Sequence, residues 1–218
     1  MMNVALIGAS GFVGTAILTE ALNRGHQVKA IVRNPEYITA QHENLRIIKA
    51  DVLSGDQIEA AITGSDAVIS AYNAGWSNPN IYEEFLQGSQ SLQAAVKSAG
   101  IKRYIVIGGA GALEIAPGIQ AVDTPEFPAA VYPGASAARD YLNILKKEEE
   151  LDWTFFSPAF EMHQGTSGVR TGNYRLGTNQ PLFNDEDRSL LSVEDLALVI
   201  IDELENPKHL KQQFTAAY

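Results

Sequence analysis

The hydrophobic pattern alternates short aliphatic runs with longer segments of helical periodicity. Runs at Val4–Gly8, Val28–Arg33, Leu45–Ala50, Ala67–Ala71, Tyr104–Gly108 and Trp153–Ser157 have the length and near-continuous apolar character of strands buried on both faces. The segments 12–24, 54–63, 81–99 and 135–150 read as helices. Val13, Ile17 and Ala21 recur at helical spacing, as do Ala138, Tyr141, Leu142 and Leu145. Ser54 with Gln57, and Ser192 with Asp195, fit helix-start boxes, in which side chains satisfy the unpaired amides of a first turn. Apolar strands separated by helices predict a doubly wound α/β architecture, a parallel sheet with helices on both faces.

After Ser157 the alternation loosens. "GTSGVRTGNYRLGTNQPLFNDEDRS" is rich in Gly, Asn and Thr, with "NYRLG" as a short strand; a last helix spans 193–205 and "QQFTAAY" follows it. Such a segment is too small for an independent domain. The expectation is one domain over 1–218, with 158–192 forming a small substrate-side lobe at the open end of the sheet.

The most informative stretch is "NVALIGASGFVGTAIL", where Gly8, Gly11 and Gly14 join the first strand to the first helix. A glycine triplet in that place suits a dinucleotide. The first glycine permits the tight turn, the second lets backbone approach a pyrophosphate, and the third lets helix and strand pack closely. The helix N-terminus adds unpaired amides and a positive dipole end. Gly8, Ser10, Gly11, Phe12, Val13 and Gly14 are the expected pyrophosphate-side residues of a Rossmann-type site.

The G-x-x-G-x-x-G spacing resembles the short-chain dehydrogenase/reductase superfamily, in particular its extended and atypical members. "GASGFVGTAILTEALNRGHQVKAIVRNP", "DVLSGDQI", "YIVIGGAGAL" and "LDWTFFSPA" resemble its atypical NAD(P)H-binding, NmrA-like group. "RTGNYRLGTNQPL" and "SVEDLALVIIDELENPKHLKQQFTAAY" are similar to a group called NADH-flavin reductases, and the resemblance covers nearly the full length. It implies a cofactor bordered by Asp51 and Val52 after the third strand, although Asp51 could equally start the following helix. Ser70, Ala71 and Tyr72 at the fourth strand, Gly108 and Gly109 after the fifth, and Pro158 after the sixth complete the implied set. NAD-specific sites commonly place an acid at the end of the second strand, where this chain has Arg33. A guanidinium there attracts a 2′-phosphate, so NADP(H) is favoured and NAD(H) is possible; the bland alternative is a solvated surface arginine.

Superfamily members that work on carbonyls use Tyr-x-x-x-Lys, the tyrosine donating a proton and the lysine holding its pKa down. Here Tyr132 stands near the acid's place, but Ser136 occupies the fourth position on. From Tyr141 the fourth residue on is Leu145, and Lys146 lies one step too far round the helix. The serine usual after the fifth strand is also missing from "GGAGAL". Reducing a ketone builds alkoxide charge and needs a positioned donor, whereas charge on a reduced flavin is delocalised. These residues therefore predict reduction of a flavin or quinone-like acceptor, with flavin as substrate rather than bound prosthetic group. Tyr132 is a weak catalytic candidate, and Asn73, Phe160, His163 and Arg170 are the acceptor-side candidates, together with Tyr72. A non-catalytic NADP sensor of NmrA-like type and a sugar-nucleotide epimerase or dehydratase are the alternatives.

Charge and composition narrow the partners. A net charge of −10 and a pI near 4.8 argue against a nucleic acid or an anionic membrane as partner. Cysteine is absent, which removes disulfides, thiolate zinc sites and a cysteine nucleophile. His26, His42, His163 and His209 lack metal-like spacing, so no metal is expected. No apolar stretch approaches the roughly 20 residues of a membrane helix, and no leader-like segment opens the chain. The expectation is a cytoplasmic monomer or homodimer acting on a small aromatic molecule.

Overall fold

The computed structural model describes residues 1–218. In chain order its elements are β1 (Asn3–Ile7), α1 (Phe12–Asn23), β2 (Gln27–Val32), β3 (Leu45–Lys49), α2 (Gly55–Ile62), β4 (Ala67–Ser70) and α3 (Ile81–Ser98). There follow β5 (Arg103–Ile107), β6 (Glu114–Ala116), β7 (Ile119–Gln120), α4 (Tyr132–Leu145), β8 (Asp152–Ser157), β9 (Arg175–Gly177), α5 (Val193–Glu205) and β10 (Gln212–Ala217). Eight strands form one sheet in the order β3-β2-β1-β4-β5-β8-β10-β9, parallel except where β9 runs antiparallel to β10. The winding reverses at β1, which pairs with β2 on one side and β4 on the other. In open α/β sheets that switch point is where ligands bind.

Alternation along the strands builds two cores. Ala5, Ile7, Val68, Tyr104, Val106 and Phe155 face one layer, filled by Ile58 and Ile62 of α2, Leu92 of α3 and Tyr141 and Leu142 of α4. Val4, Leu6, Ile69, Ile105 and Phe156 face the other, against Ile17 and Leu18 of α1 and Leu196 and Ile200 of α5. The doubly wound sheet expected from the six apolar runs is therefore present, extended by β10 and β9.

Several local expectations are corrected. The third run is not buried on both faces: β3 is an edge strand with Ile47 38% exposed, because it has β2 as its only neighbour. The fourth helix starts at Tyr132, with Pro133 in its first turn, and unwinds after Leu145 through three-residue bonds from Lys147 to Ile144 and Glu148 to Leu145. Ser54 makes no side-chain cap; Gln57 Oε1 instead accepts from the Asp51 amide at 3.2 Å. Ser192 does cap α5, its Oγ accepting from the Asp195 amide at 3.0 Å. The β6–β7 hairpin had no signal in the hydrophobic pattern.

The segment 158–192 is fastened to α1 and α5 by carboxylates, and to β10 by the backbone pairing of β9. Buried Asp195 accepts from the Thr171 amide and hydroxyl, the Gly172 amide and the Tyr218 hydroxyl, at 2.6–3.0 Å. Arg170 pairs with Glu20 of α1, and the Tyr174 hydroxyl donates to Asp202 of α5. Burial alone would raise the Asp195 pKa, but the bonds from Thr171, Tyr218 and Gly172 together hold it below its ordinary value. A folded-state pKa held low gives stability that is present above the ordinary carboxylate pKa and lost as acid protonates the group. Replacing Asp195→Ala removes four bonds to a buried carboxylate from donors that water can partly reach, and urea unfolding at neutral pH should show a loss of about 1–3 kcal/mol. The variant should also lose part of the wild-type decline in stability on acidification. A loss under about 1 kcal/mol would mean the lobe is held by other contacts.

Candidate functional site

The site grows out of three glycines that do different work. Gly8 ends β1 in the left-handed region at φ +76°, and a Cβ there would lie 2.6 Å from the Ala71 carbonyl oxygen. A Cβ at Gly14 would lie 2.1 Å from the Gly8 oxygen, so α1 is seated directly on the turn. Gly11 is different. Its backbone is extended at φ −78° and ψ 170°, and a Cβ there would meet only the Gly8 oxygen, at an ordinary 3.4 Å. Protein packing does not demand glycine at 11. The bare backbone is exposed where α1 begins, and no side chain caps its first-turn amides. A cradle that a side chain would fill, with amides and a dipole end aimed into it, fits a dinucleotide pyrophosphate.

The cleft over this turn lies at the carboxyl ends of β1 to β4. Ile7, Gly8, Ser10 and Gly11 form its floor, and Ile31, Arg33, Asn34 and Tyr37 form one wall. Ala50 and Val52 close the end beyond β3, while Ala71, Tyr72 and Asn73 line the β4 side. Arg33 is exposed and has no hydrogen-bonding or ion-pair partner within the chain, so its guanidinium is free to meet an anion. Tyr72 is fixed: its hydroxyl donates to the Glu84 carbonyl at 3.1 Å and its ring lies nearly parallel to Phe85. Burial pushes its phenol up to about 12, against an opposing pull from Arg33. Asn73 Oδ1 accepts from the Gly75 amide at 2.7 Å.

Other expected residues sit elsewhere. Phe12, Val13 and Gly14 form the first turn of α1 behind the cleft. Asp51 does not line it, because its Oδ1 accepts from the Leu53 amide at 3.0 Å in the turn before α2. Ser70 is buried in β4, and Gly108, Gly109 and Pro158 continue the row of strand ends at β5 and β8. Gly108 has a packing reason of its own, since a Cβ there would lie 1.9 Å from Phe155 Cζ. Tyr132 opens α4, is 46% exposed and meets Phe127 edge-on at 6.4 Å between centroids. Ser136, one turn on, donates back to the carbonyls of Tyr132 and Pro133 at 2.8 and 3.1 Å. Tyr141 and Tyr104 are fully buried, and burial pushes Tyr104 up to about 12 and Tyr141 well above its ordinary value. Neither is placed to donate a proton to a ligand.

Two acceptor-side candidates already have partners within the chain. His163 Nδ1 accepts from the Gly165 amide at 3.0 Å, so the imidazole caps the turn 164–166. Arg170 is drawn to Glu20 in the second half of α1 and serves as a tether of the lobe. Phe160 is 40% exposed beside Phe183, with centroids 6.2 Å apart. Asn34 and Tyr37 were missed as cleft residues. The signal was in "RNPEY", where Pro35 starts a turn that carries both back to the end of β2. No three histidine, aspartate or glutamate side chains converge as a metal ion would require. No helix is long and apolar enough to cross a membrane.

Comparison with known proteins agrees with this geometry. A family model described as NAD(P)H-binding matches residues 8–207, and the chain belongs to that family. It is 36% identical to the Bacillus subtilis protein YwnB over 98% of this chain and 97% of that one. A Bacteroides thetaiotaomicron structure provisionally assigned as an epimerase superposes with a TM-score of 0.91 at 48% identity, over 100% of this chain and 97% of its own. A Streptococcus pneumoniae structure provisionally assigned as an NADH-flavin reductase superposes with a TM-score of 0.87 at 35% identity, over 100% and 99%.

The glycines can be separated by experiment. An aspartate suits an extended N-cap, so Gly11→Asp should leave the urea midpoint unchanged or slightly raised. Calorimetry should nevertheless find NADPH binding abolished, by bulk and like charge in the cradle. Gly14→Ala should instead destabilise the fold by about 1–3 kcal/mol through the clash with Gly8. Unchanged NADPH affinity in folded Gly11→Asp would remove the pyrophosphate from this turn.

Proposed function

From membership of the NAD(P)H-binding family, we propose that this chain is an NADP(H)-preferring reductase whose acceptor is a flavin or a quinone-like ring. When bound, the reduced nicotinamide supplies a hydride. The chain's own part is to hold and orient. Amides at the start of α1 take the pyrophosphate, Arg33 takes the 2′-phosphate, and Tyr72 and Asn73 border the β4 side of the cleft.

The observation that carries this reading is the lack of a tuned proton donor beside the cleft. Tyr132 has Ser136 where a lysine would be needed, and that serine is turned back onto the helix backbone. The Tyr72 phenol is bound to Glu84 and pushed up to about 12. A ketone or sugar substrate requires a donor or base here, whereas a ring that spreads its charge does not. The structural neighbour assigned to NADH-flavin chemistry supports this choice. The same missing pair also suits a non-catalytic NADP(H) sensor, and turnover distinguishes the two.

NADPH oxidation should be slow but measurable with FMN, FAD or small quinones, and absent with simple aldehydes and sugar nucleotides. Tight NADPH binding with no acceptor turned over would favour the sensor. Removing a charge-assisted phosphate contact costs about 1.5–3 kcal/mol. Arg33→Ala should accordingly weaken NADPH tenfold or more while changing NADH little. Equal losses would mean that Arg33 does not read the phosphate. Tyr132→Phe should retain flavin reduction to within about tenfold, against the ~10²–10⁴-fold loss expected on removing a general acid. A thousandfold loss at unchanged cofactor affinity would make Tyr132 a proton donor and restore carbonyl reduction.

A further inference from the structure

Trp76 is the most conspicuous residue that the cofactor cleft does not use. It is 63% exposed, an unusual state for the largest side chain on an otherwise well-packed domain. It is nevertheless held. Gly75, at φ +104°, turns the chain after β4, and its amide donates to Asn73 Oδ1. Asn78 closes the other side, its amide donating to the Gly75 carbonyl and its Nδ2 to Ala74 and Glu84.

The edge of the indole rests in a notch on α4. A Cβ at Gly134 would lie 2.8 Å from Trp76 Cζ3, so only glycine admits the ring there. Two residues earlier on the same helix, Tyr132 meets Phe127. Phe127 in turn stands over Gly111 in the turn after β5, where a Cβ would lie 3.3 Å from its Cζ. Trp76 against Gly134 and the Tyr132–Phe127 pair thus stand as two separate aromatic features near the start of α4. Trp76 is tied to the cleft through Asn73, which lines it and accepts from the amide of Gly75, the residue before the indole.

We propose that Trp76 is the stacking platform for the flat aromatic acceptor. The proposal rests on the reductase reading. A planar conjugated ring gains from an exposed indole face through stacking, while a sugar or a small aldehyde gains little. The platform therefore sets the class of acceptor and leaves cofactor choice to Arg33.

Titrating the NADP⁺-saturated chain with FMN, followed by tryptophan emission, tests this without turnover. Trp153, the other of the two tryptophans, is 3% exposed and reports on FMN in the variants. Quenching should saturate in the wild type. The half-saturating FMN concentration should rise by about tenfold in Trp76→Ala and return to within about threefold of wild type in Trp76→Phe. NADPH affinity should be equal in all three, and the same ratios should appear in KM for FMN with kcat little changed. An unchanged half-saturating concentration in Trp76→Ala overturns the platform. Normal FMN turnover alongside that result would leave the reductase reading standing. Trp76-dependent FMN binding with no NADPH oxidation would do the opposite, supporting the platform and sinking the reductase.

Discussion

The close approach of Gly14 to the Gly8 carbonyl sets the geometry on which the rest of this structure depends. With 2.1 Å between that oxygen and any added Cβ, a side chain at 14 would push α1 off the end of β1. The Ala71 carbonyl approaches Gly8 from the other side, so a side chain at 8 would also push β4 away from the turn. One point therefore ties β1, β4 and the start of α1 together where the sheet reverses its winding. The helix dipole and its uncapped amides then face the cleft as a consequence of packing, and Gly11 alone is left bare for a ligand.

Carboxylates anchor what surrounds that point. Glu20 is nearly buried in α1 yet pairs with both Arg24 and Arg170, and Arg24 reaches across to Asp202 and Glu205 of α5. Asp195 gathers the loop at 171–172 and the Tyr218 hydroxyl. An acidic chain thus uses several of its acids internally, each matched by donors, as burial of charge demands. The segment 158–192 is tied to the α1–α5 layer, and the opposite layer, with α3 and α4, packs against Tyr72 at the cleft.

The sheet was legible because its strands are continuously apolar and its turns are marked by glycine. The six parallel strands β1 to β5 and β8, and the cofactor turn, could be read from Val4–Gly8 onward with little ambiguity. What escaped lay where local pattern and tertiary need part company. Leu45–Lys49 looks buried by composition, but an edge position exposes it. Ser54 and Gln57 have the spacing of a box, yet Gln57 is taken by the Asp51 amide. Arg170 and His163 have the chemistry of ligand-binding groups, and sequence carries no sign that Glu20 and the Gly165 amide engage them within the chain. Trp76 passed unnoticed because exposure is a property of the folded surface.

The central claim is that the cleft aligns a dinucleotide with an aromatic acceptor and leaves the chemistry to the two rings. Anaerobic single-turnover mixing of NADPH-loaded protein with FMN tests this most directly. The account predicts that NADPH oxidation and FMN bleaching proceed with one shared rate constant, slowed by deuterium at the transferring position and insensitive to Tyr132→Phe. NADPH bound tightly with no flavin bleaching, or a shared rate that collapses in Tyr132→Phe, would contradict it.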